Sequence, residues 1–250
     1  MSDVPAARSL YPPITRSAEL AEHLFTSDSV EEVLARIVTA AVDMIGGADL
    51  ASLSVLVAGS GIRTPAYTDP LALHLDEGQY DTGEGPLVDI ALGGHLPYLE
   101  VTDLAAGPGW PAFRPLAAGL GIRAMLSLGV ITGGSTGGQP GRPPARRTLG
   151  ALNLYARRPD AFDRNARDIG LLLAAHAAVA LAATAQASQL REALRTRDVI
   201  GQAKGILMER RKLTADQAFE VLRRTSQRLN IKLRDVAARI AGTGAEPPLP

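Results

Sequence analysis

The chain has 250 residues, no cysteine, and 26 Lys+Arg balanced by 26 Asp+Glu. This length suits one large domain or two small ones, and 46% hydrophobic residues fill a core, which excludes wholesale disorder. The missing cysteine excludes disulfides, thiolate zinc sites, cysteine nucleophiles and thioether-linked pigments.

The first 16 residues hold Pro5, Pro12 and Pro13 and read as a flexible arm without a signal-peptide pattern. Apolar residues then recur at helical spacing from Ser17 to Ile45. A Ser-Asp-Ser turn at Ser27–Ser29 splits that stretch, with Ser29 expected as N-cap and Glu32 as its capping-box partner. Gly46-Gly47 ends the helix, and Ala51–Val57 alternates with period two, like a strand with one buried face. Ile62–Tyr67 pairs back after the Gly59-Ser-Gly61 turn. A short helix is expected over Leu87–Leu92 behind Pro86, a strand over Pro97–Val101, a helix near Phe113–Leu120, and strands over Arg123–Ile131 and Thr148–Ala156. Between those last two lies Thr132–Arg147, rich in Gly, Pro and Arg and read as a mobile hairpin loop.

From Asp163 no proline occurs until Pro247, so Asn165–Arg211 reads as one helix. Its Ala-rich stretch Ile169–Ala183 is shorter than the ~20 residues of a membrane span and is expected to be buried in the protein. Leu190, Leu194, Ala203 and Leu207 form an apolar stripe further along. Thr214-Ala-Asp-Gln217 is a capping box opening a second helix, with Ala218, Phe219, Leu222 and Leu229 as its apolar face. After a turn at Asn230–Lys232, Leu233, Val236, Ala237 and Ile240 face inward from a third helix, closed by Gly242.

The order of elements suggests an antiparallel sheet with helices on one side, hence α+β, followed by a small all-α bundle. Residues 1–190 carry 13 Lys+Arg against 19 Asp+Glu, whereas residues 191–250 carry 13 against 7. The basic excess of the last segment suits a polyanion. Its cations fall outside the apolar stripes: Arg224 and Arg228 are i, i+4 neighbours, Arg223 and Gln227 form the adjacent row, Lys232 and Arg234 open the third helix, and Lys204 stands on the first. Several cations with hydroxyl or amide donors on a rigid face are what phosphate oxygens require. Paired carboxylates, a nucleophile elbow, a Walker loop and metal-ligand spacing are all missing, so no enzyme is expected. His23 and His176 fall in predicted helices and His95 in a loop, and a lone histidine is more often structural. Trp110 and Tyr80 would line a pocket or pack in the core.

Residues 17–187 resemble the GAF family of sensor domains. The likeness rests on the opening helix into Gly46-Gly47-Ala48-Asp49, on Gly83-Glu84-Gly85-Pro86, on Tyr98-Leu99-Glu100-Val101-Thr102-Asp103, and on Leu149-Gly150-Ala151-Leu152-Asn153-Leu154. Residues 188–242 resemble the ANTAR family, three-helix RNA-binding domains of transcription antiterminators. The matching residues are Ile200, Ala203-Lys204-Gly205-Ile206-Leu207-Met208, Ala218-Phe219, Leu222-Arg223, Ser226, Asn230 and Lys232-Leu233-Arg234-Asp235-Val236-Ala237. Residues 243–250 are a tail.

The resemblance implies a cytoplasmic dimer that binds paired stem-loops in mRNA leaders, so that an overlapping terminator hairpin cannot form. It points to Lys204, Arg223, Arg224, Ser226, Gln227, Arg228, Lys232 and Arg234 as RNA contacts, with Phe219 read as a core residue rather than a base-stacking one. No cofactor, metal or membrane is expected. A small-molecule ligand of the GAF-like domain and an upstream signalling protein stay open. The alternatives are a DNA-binding helix-turn-helix, because the second and third helices meet through a short turn, and a dimeric protein-docking module.

Overall fold

The computed structural model describes residues 29–93, 96–133 and 146–243. The N-terminal arm, His23, His95, most of the Thr132–Arg147 loop and residues 244–250 lie outside the described residues. The chain divides into two compact units, Met1–Ala183 and Thr184–Pro250.

The first unit runs α1 (Val30–Met44), β1 (Leu50–Val57), β2 (Gly61–Tyr67), α2 (Pro70–Thr82), α3 (Pro86–Leu92), β3 (Tyr98–Val101), α4 (Phe113–Gly119), β4 (Ala124–Thr132) and β5 (Arg147–Ala156), and ends on the opening part of α5 (Arg164–Arg211). Ser29 caps α1 by accepting a hydrogen bond from the Glu32 amide at 3.3 Å, as the sequence predicts, but the reciprocal bond from the Glu32 side chain that would complete the expected capping box is not formed. Asp163 does the same for α5 by accepting from the Ala166 amide at 2.8 Å. The five strands form one antiparallel sheet in the order β2-β1-β5-β4-β3.

Helices cover both faces of this sheet, not one. Ala51, Leu53, Leu126, Leu128, Leu152 and Leu154 point to one side and pack with α1 and with Leu173, Ala174 and Ala177 of α5. Leu50, Met125, Ala151 and Tyr155 point the other way and pack with Leu75 of α2, Leu87 and Ile90 of α3 and Phe113 of α4. The period-two alternation of β1 therefore does not separate buried from exposed; its first five residues are all buried. Gly170 lets α5 lie close on the sheet, since a β-carbon there would stand 2.8 Å from a Leu128 methyl. The apolar stretch of α5 is long and apolar enough to cross a membrane by length and composition, yet its inner face packs on these strands. Leu172 and Val179 on the same helix stay exposed.

Helix α2 was not legible from the apolar pattern. Leu71, Leu73 and Leu75 alternate as a strand would, and Gly78 sits inside the helix. The helix starts at Asp69, whose carboxylate accepts from the Leu71 amide at 2.7 Å, with Pro70 in the first turn. Asp-Pro at a helix start is the missed signal.

The second unit holds the rest of α5, then α6 (Ala215–Leu229) and α7 (Leu233–Thr243). Its core is Ala203, Leu207, Ala218, Leu222, Val236, Ala237 and Ile240. Leu190 and Leu194 do not continue the stripe of Ala203 and Leu207, being 63% and 51% exposed; at about 100° per residue they project from another side of the helix. Phe219 and Leu229 are likewise exposed, and Thr225 takes the expected place of an apolar residue in the buried face of α6. Helix α7 continues through Gly242 to Thr243, so Gly242 is not a C-cap.

The capping box at Thr214 is complete: its hydroxyl accepts from the Gln217 amide at 3.3 Å, and the Gln217 side chain accepts from the Thr214 amide at 2.9 Å. Replacing such a cap by alanine costs about 1 kcal/mol. In Thr214→Ala, hydrogen–deuterium exchange should therefore quicken about fivefold in peptides covering 214–222, while peptides of β5 stay unchanged.

Candidate nucleic-acid interface and the polar core of the first unit

With its core made of α5, α6 and α7 apolar residues, the second unit leaves its cations outside. Arg223, Arg224, Gln227, Arg228, Lys232 and Arg234 are exposed and Lys204 is half-buried. The α6 core stripe, Ala218, Leu222 and Thr225, fixes the rest by helical geometry: Arg223, Arg224 and Gln227 lie on the outward side, with Arg228 on one flank. Arg223 donates to Glu220 through Nε at 2.8 Å and Nη2 at 2.7 Å, and Arg224 Nε donates to the same carboxylate at 2.7 Å. These two arginines, Arg223 first, hold Glu220 down at about 2. Two cations thus share one anion, which leaves the cluster net positive.

Ser226 is not available as an outward donor. Its hydroxyl donates to the Ile231 carbonyl at 2.6 Å, closing the turn in which Asn230 takes a left-handed conformation, φ 53°. Arg234 is also engaged, donating to Glu192 of α5 at 2.8 Å and lying 3.4 Å from Asp235. Lys204, Gln227, Arg228 and Lys232 have no side-chain partner among the described residues. Phe219, expected in the core, is 39% exposed and borders a groove with Ile200, Gly201 and Lys204 of α5.

The first unit holds a polar group of residues that the sequence pattern does not single out. Asp76 of α2 is fully buried. Its carboxylate accepts from Ser52 Oγ at 3.0 Å, Ser54 Oγ at 2.8 Å and Thr64 Oγ1 at 2.7 Å, and also from the Tyr155 hydroxyl. Asn153 Nδ2 reaches Ser52 and Ser54 Oγ, each at 3.2 Å, and Ser127 Oγ donates to Asn153 Oδ1 at 2.6 Å. Tyr80, one turn after Asp76, donates to Ser54 at 2.9 Å, so it serves this network. Burial pushes the Asp76 carboxyl up against the opposing effect of its donors, and raises Tyr80 and Tyr155, with Asp76 adding to both.

Gln79 donates to the Tyr155 hydroxyl at 3.2 Å and accepts from the Leu87 amide at 2.9 Å, which ties the network to the start of α3. Gly85 is glycine for this reason: its φ is 126°, and a β-carbon would stand 2.3 Å from Gln79 Oε1. Glu84 beside it accepts from the Ala112 amide at 2.8 Å at the start of α4. Trp110 donates to Asp89 at 3.1 Å with Arg114 stacked 5.4 Å from its ring centre. His74 is exposed and His176 bonds the Leu172 carbonyl at 2.8 Å; no cluster of metal ligands occurs among the described residues. The sequence hint for the network was a strand carrying Ser52 and Ser54 on one face.

Residues 27–182 match the GAF domain family and residues 188–240 match the ANTAR domain family. Among solved structures, the GAF domain of a phosphoenolpyruvate-protein phosphotransferase from Coxiella burnetii superposes with a TM-score of 0.52 at 16% identity, over 70% of this chain and 96% of that one. The corresponding domain from Acinetobacter gives 0.51 at 14% identity, again over 70% and 96%. A bacteriophytochrome from R. palustris gives 0.49 at 12% identity, covering 87% of this chain but only 48% of its own length. No curated protein matches the sequence.

Asp76→Ala would strand several buried hydroxyls, at ~1–3 kcal/mol each, and should lower the midpoint of urea unfolding of the N-terminal unit. Asp76→Asn removes the charge and also turns one of the two accepting oxygens into an NH2 donor, a loss that does not depend on pH. A carboxyl raised by burial is unpenalised below its ordinary 3.8 and increasingly penalised as pH rises towards its folded-state value. The melting temperature of the Asn variant relative to wild type should therefore fall as pH is lowered from 7 to 4, because only the wild type regains stability; a constant difference would contradict a raised carboxyl.

Proposed function

The chain belongs to the GAF domain family and carries an ANTAR domain, the mark of RNA-binding antitermination regulators, and from that premise we propose that it is a signal-responsive regulator gripping paired stem-loops of nascent mRNA through Lys204, Arg223, Arg224, Gln227, Arg228, Lys232 and Arg234. The observation that carries this reading is a set of groups without partners among the described residues, Lys204, Gln227, Arg228 and Lys232, beside the Glu220-held arginines. The bundle's core is complete without them. Hairpin phosphates supply the missing anions, and release of condensed counterions drives association. Ser226 then acts through the turn it closes, not as a phosphate donor.

Two such units in a dimer would hold two hairpins at once, the second contact profiting from a raised effective concentration. The residues that favour a second copy are apolar and exposed on α5: Leu172 and Val179 in the first unit, Leu190, Leu194 and Met208 in the second. A signal at the GAF domain would pass along α5, which is continuous from Arg164 to Arg211. Inserting two residues within Gln189–Thr196 rotates everything beyond it by about 200°. RNA binding should then persist but lose its dependence on the signal; intact regulation would rule out the helix as the relay.

Binding to labelled RNA hairpins should survive excess duplex DNA. Lys204→Ala, Arg228→Ala and Lys232→Ala should each weaken it and lower the slope of log K against log salt by about 0.7–0.9 for each phosphate left without its cation. Equal slopes in wild type and all three variants would remove these residues from the interface.

A further inference from the structure

The antitermination reading leaves Phe219 unexplained, and the present inference rests on that reading. An exposed phenylalanine is not in itself informative. Its surroundings are. Phe219 is the first residue of the row Phe219, Arg223, Gln227, spaced four apart along α6 and therefore stacked on one side of the helix. Its neighbour Ala218 is fully buried, so the ring sits where the packed core meets the cationic face. Across the groove stand Ile200, Gly201 and Lys204 of α5.

Gly201 lies within a long helix, where glycine costs about 0.5–1 kcal/mol against alanine. A β-carbon there would meet nothing within 4 Å, so no internal packing calls for it, and the groove stays open to an incoming flat group. Lys204 is half-buried with no partner among the described residues. Arg197 also lines this groove, with Asp198 and Glu192 as its acidic members. An aromatic face bordered by cations and open on one side has the chemistry of a nucleobase platform, because a base presents a π-face and its phosphates lie within reach of the neighbouring cations.

We propose that Phe219 is the stacking platform for one unpaired base of the bound RNA loop, with Ile200 and Gly201 as the facing wall and with Lys204 and Arg223 taking the flanking phosphates. The residue thus reads the presence of an unstacked base, which a continuous duplex does not offer. It distinguishes a loop from a stem, whereas the other cations of the surface grip any phosphate backbone.

The test uses the full chain and a pool of RNA hairpins with one stem and randomised loops, from which the tightest-binding loop is taken. Each loop position is then replaced by an abasic nucleotide. In wild type one abasic position should weaken binding roughly 5- to 140-fold, the range of a missing base–aromatic stack. Phe219→Leu, which keeps apolar bulk without a π-face, should bind the intact loop as weakly and show no further loss at that abasic position. Phe219→Trp should restore the affinity, and the salt slope should be the same in all three. If Leu binds like wild type, or if the abasic loss persists undiminished in the Leu variant, Phe219 does not stack on a base although the RNA reading stands. If wild type selects no hairpin from the pool, the RNA reading falls and this inference with it. Unchanged helical circular dichroism of the Leu and Trp variants separates loss of the stack from loss of the fold.

Discussion

A buried polar atom must find its partner inside the protein, and this constraint shapes the two units in opposite ways. In the sensor unit it is met by concentration. Asp76 draws hydroxyls from β1, β2 and β5 onto one carboxylate, and Asn153, Ser127, Tyr80 and Gln79 extend the network to β4, α2 and α3. Helix α2 is held to the sheet by directional bonds as well as by Ala72 and Leu75. In the second unit the constraint is met by exclusion. Its core residues are apolar apart from Thr225 at the edge, so the charged side chains stay on the outside, where a polyanion can reach them.

This difference bears on how a signal would be registered. A fully satisfied polar network is sensitive to any change in one member, because each broken bond leaves a desolvated group behind. Asp76 joins three strands to α2, and Gln79 passes the connection to the opening of α3 through the Leu87 amide. Gln79 and Asp76 thus form a chain of hydrogen bonds from the Leu87 amide, just after the Gly83–Pro86 segment, to β1 and β5. On the other face of the sheet, where α5 packs, the contact is apolar except for Arg167, which reaches Tyr98 and Glu100 of β3.

Structure was most legible in the sequence where local chemistry decides it. Ser29, Thr214 and Gln217 capped the helices they were expected to cap, and the strands fell within a residue or so of their predicted ends, because caps and alternating apolar runs are written in adjacent residues. Legibility failed where a residue's environment comes from distant parts of the chain. Ser52 and Ser54 read as the solvent side of β1, but α2 and its Asp76 cover that face, and α2 itself was hidden by a strand-like alternation of leucines. Phe219 and Leu229 read as core by their apolar character, yet the stripe that meets α5 and α7 runs through Ala218, Leu222 and Thr225. Among the candidate RNA contacts, the positions of the cations were legible from periodicity. Their partners were not, since Glu220 and Glu192 also stand on exposed helical faces.

Those partners sort the cationic surface into two kinds. Arg223 and Arg224 are already oriented by Glu220, so they lose little side-chain freedom on meeting a phosphate, but they must give up a carboxylate to do so. Lys204, Arg228 and Lys232, without partners among the described residues, give up only water and mobile ions and bear the full entropic cost of being fixed. Exchange of one anion for another contributes little net energy while demanding the geometry of a guanidinium fork, whereas an ammonium group contributes attraction with little directional demand. On the proposed interface, affinity would therefore reside mainly in the second kind.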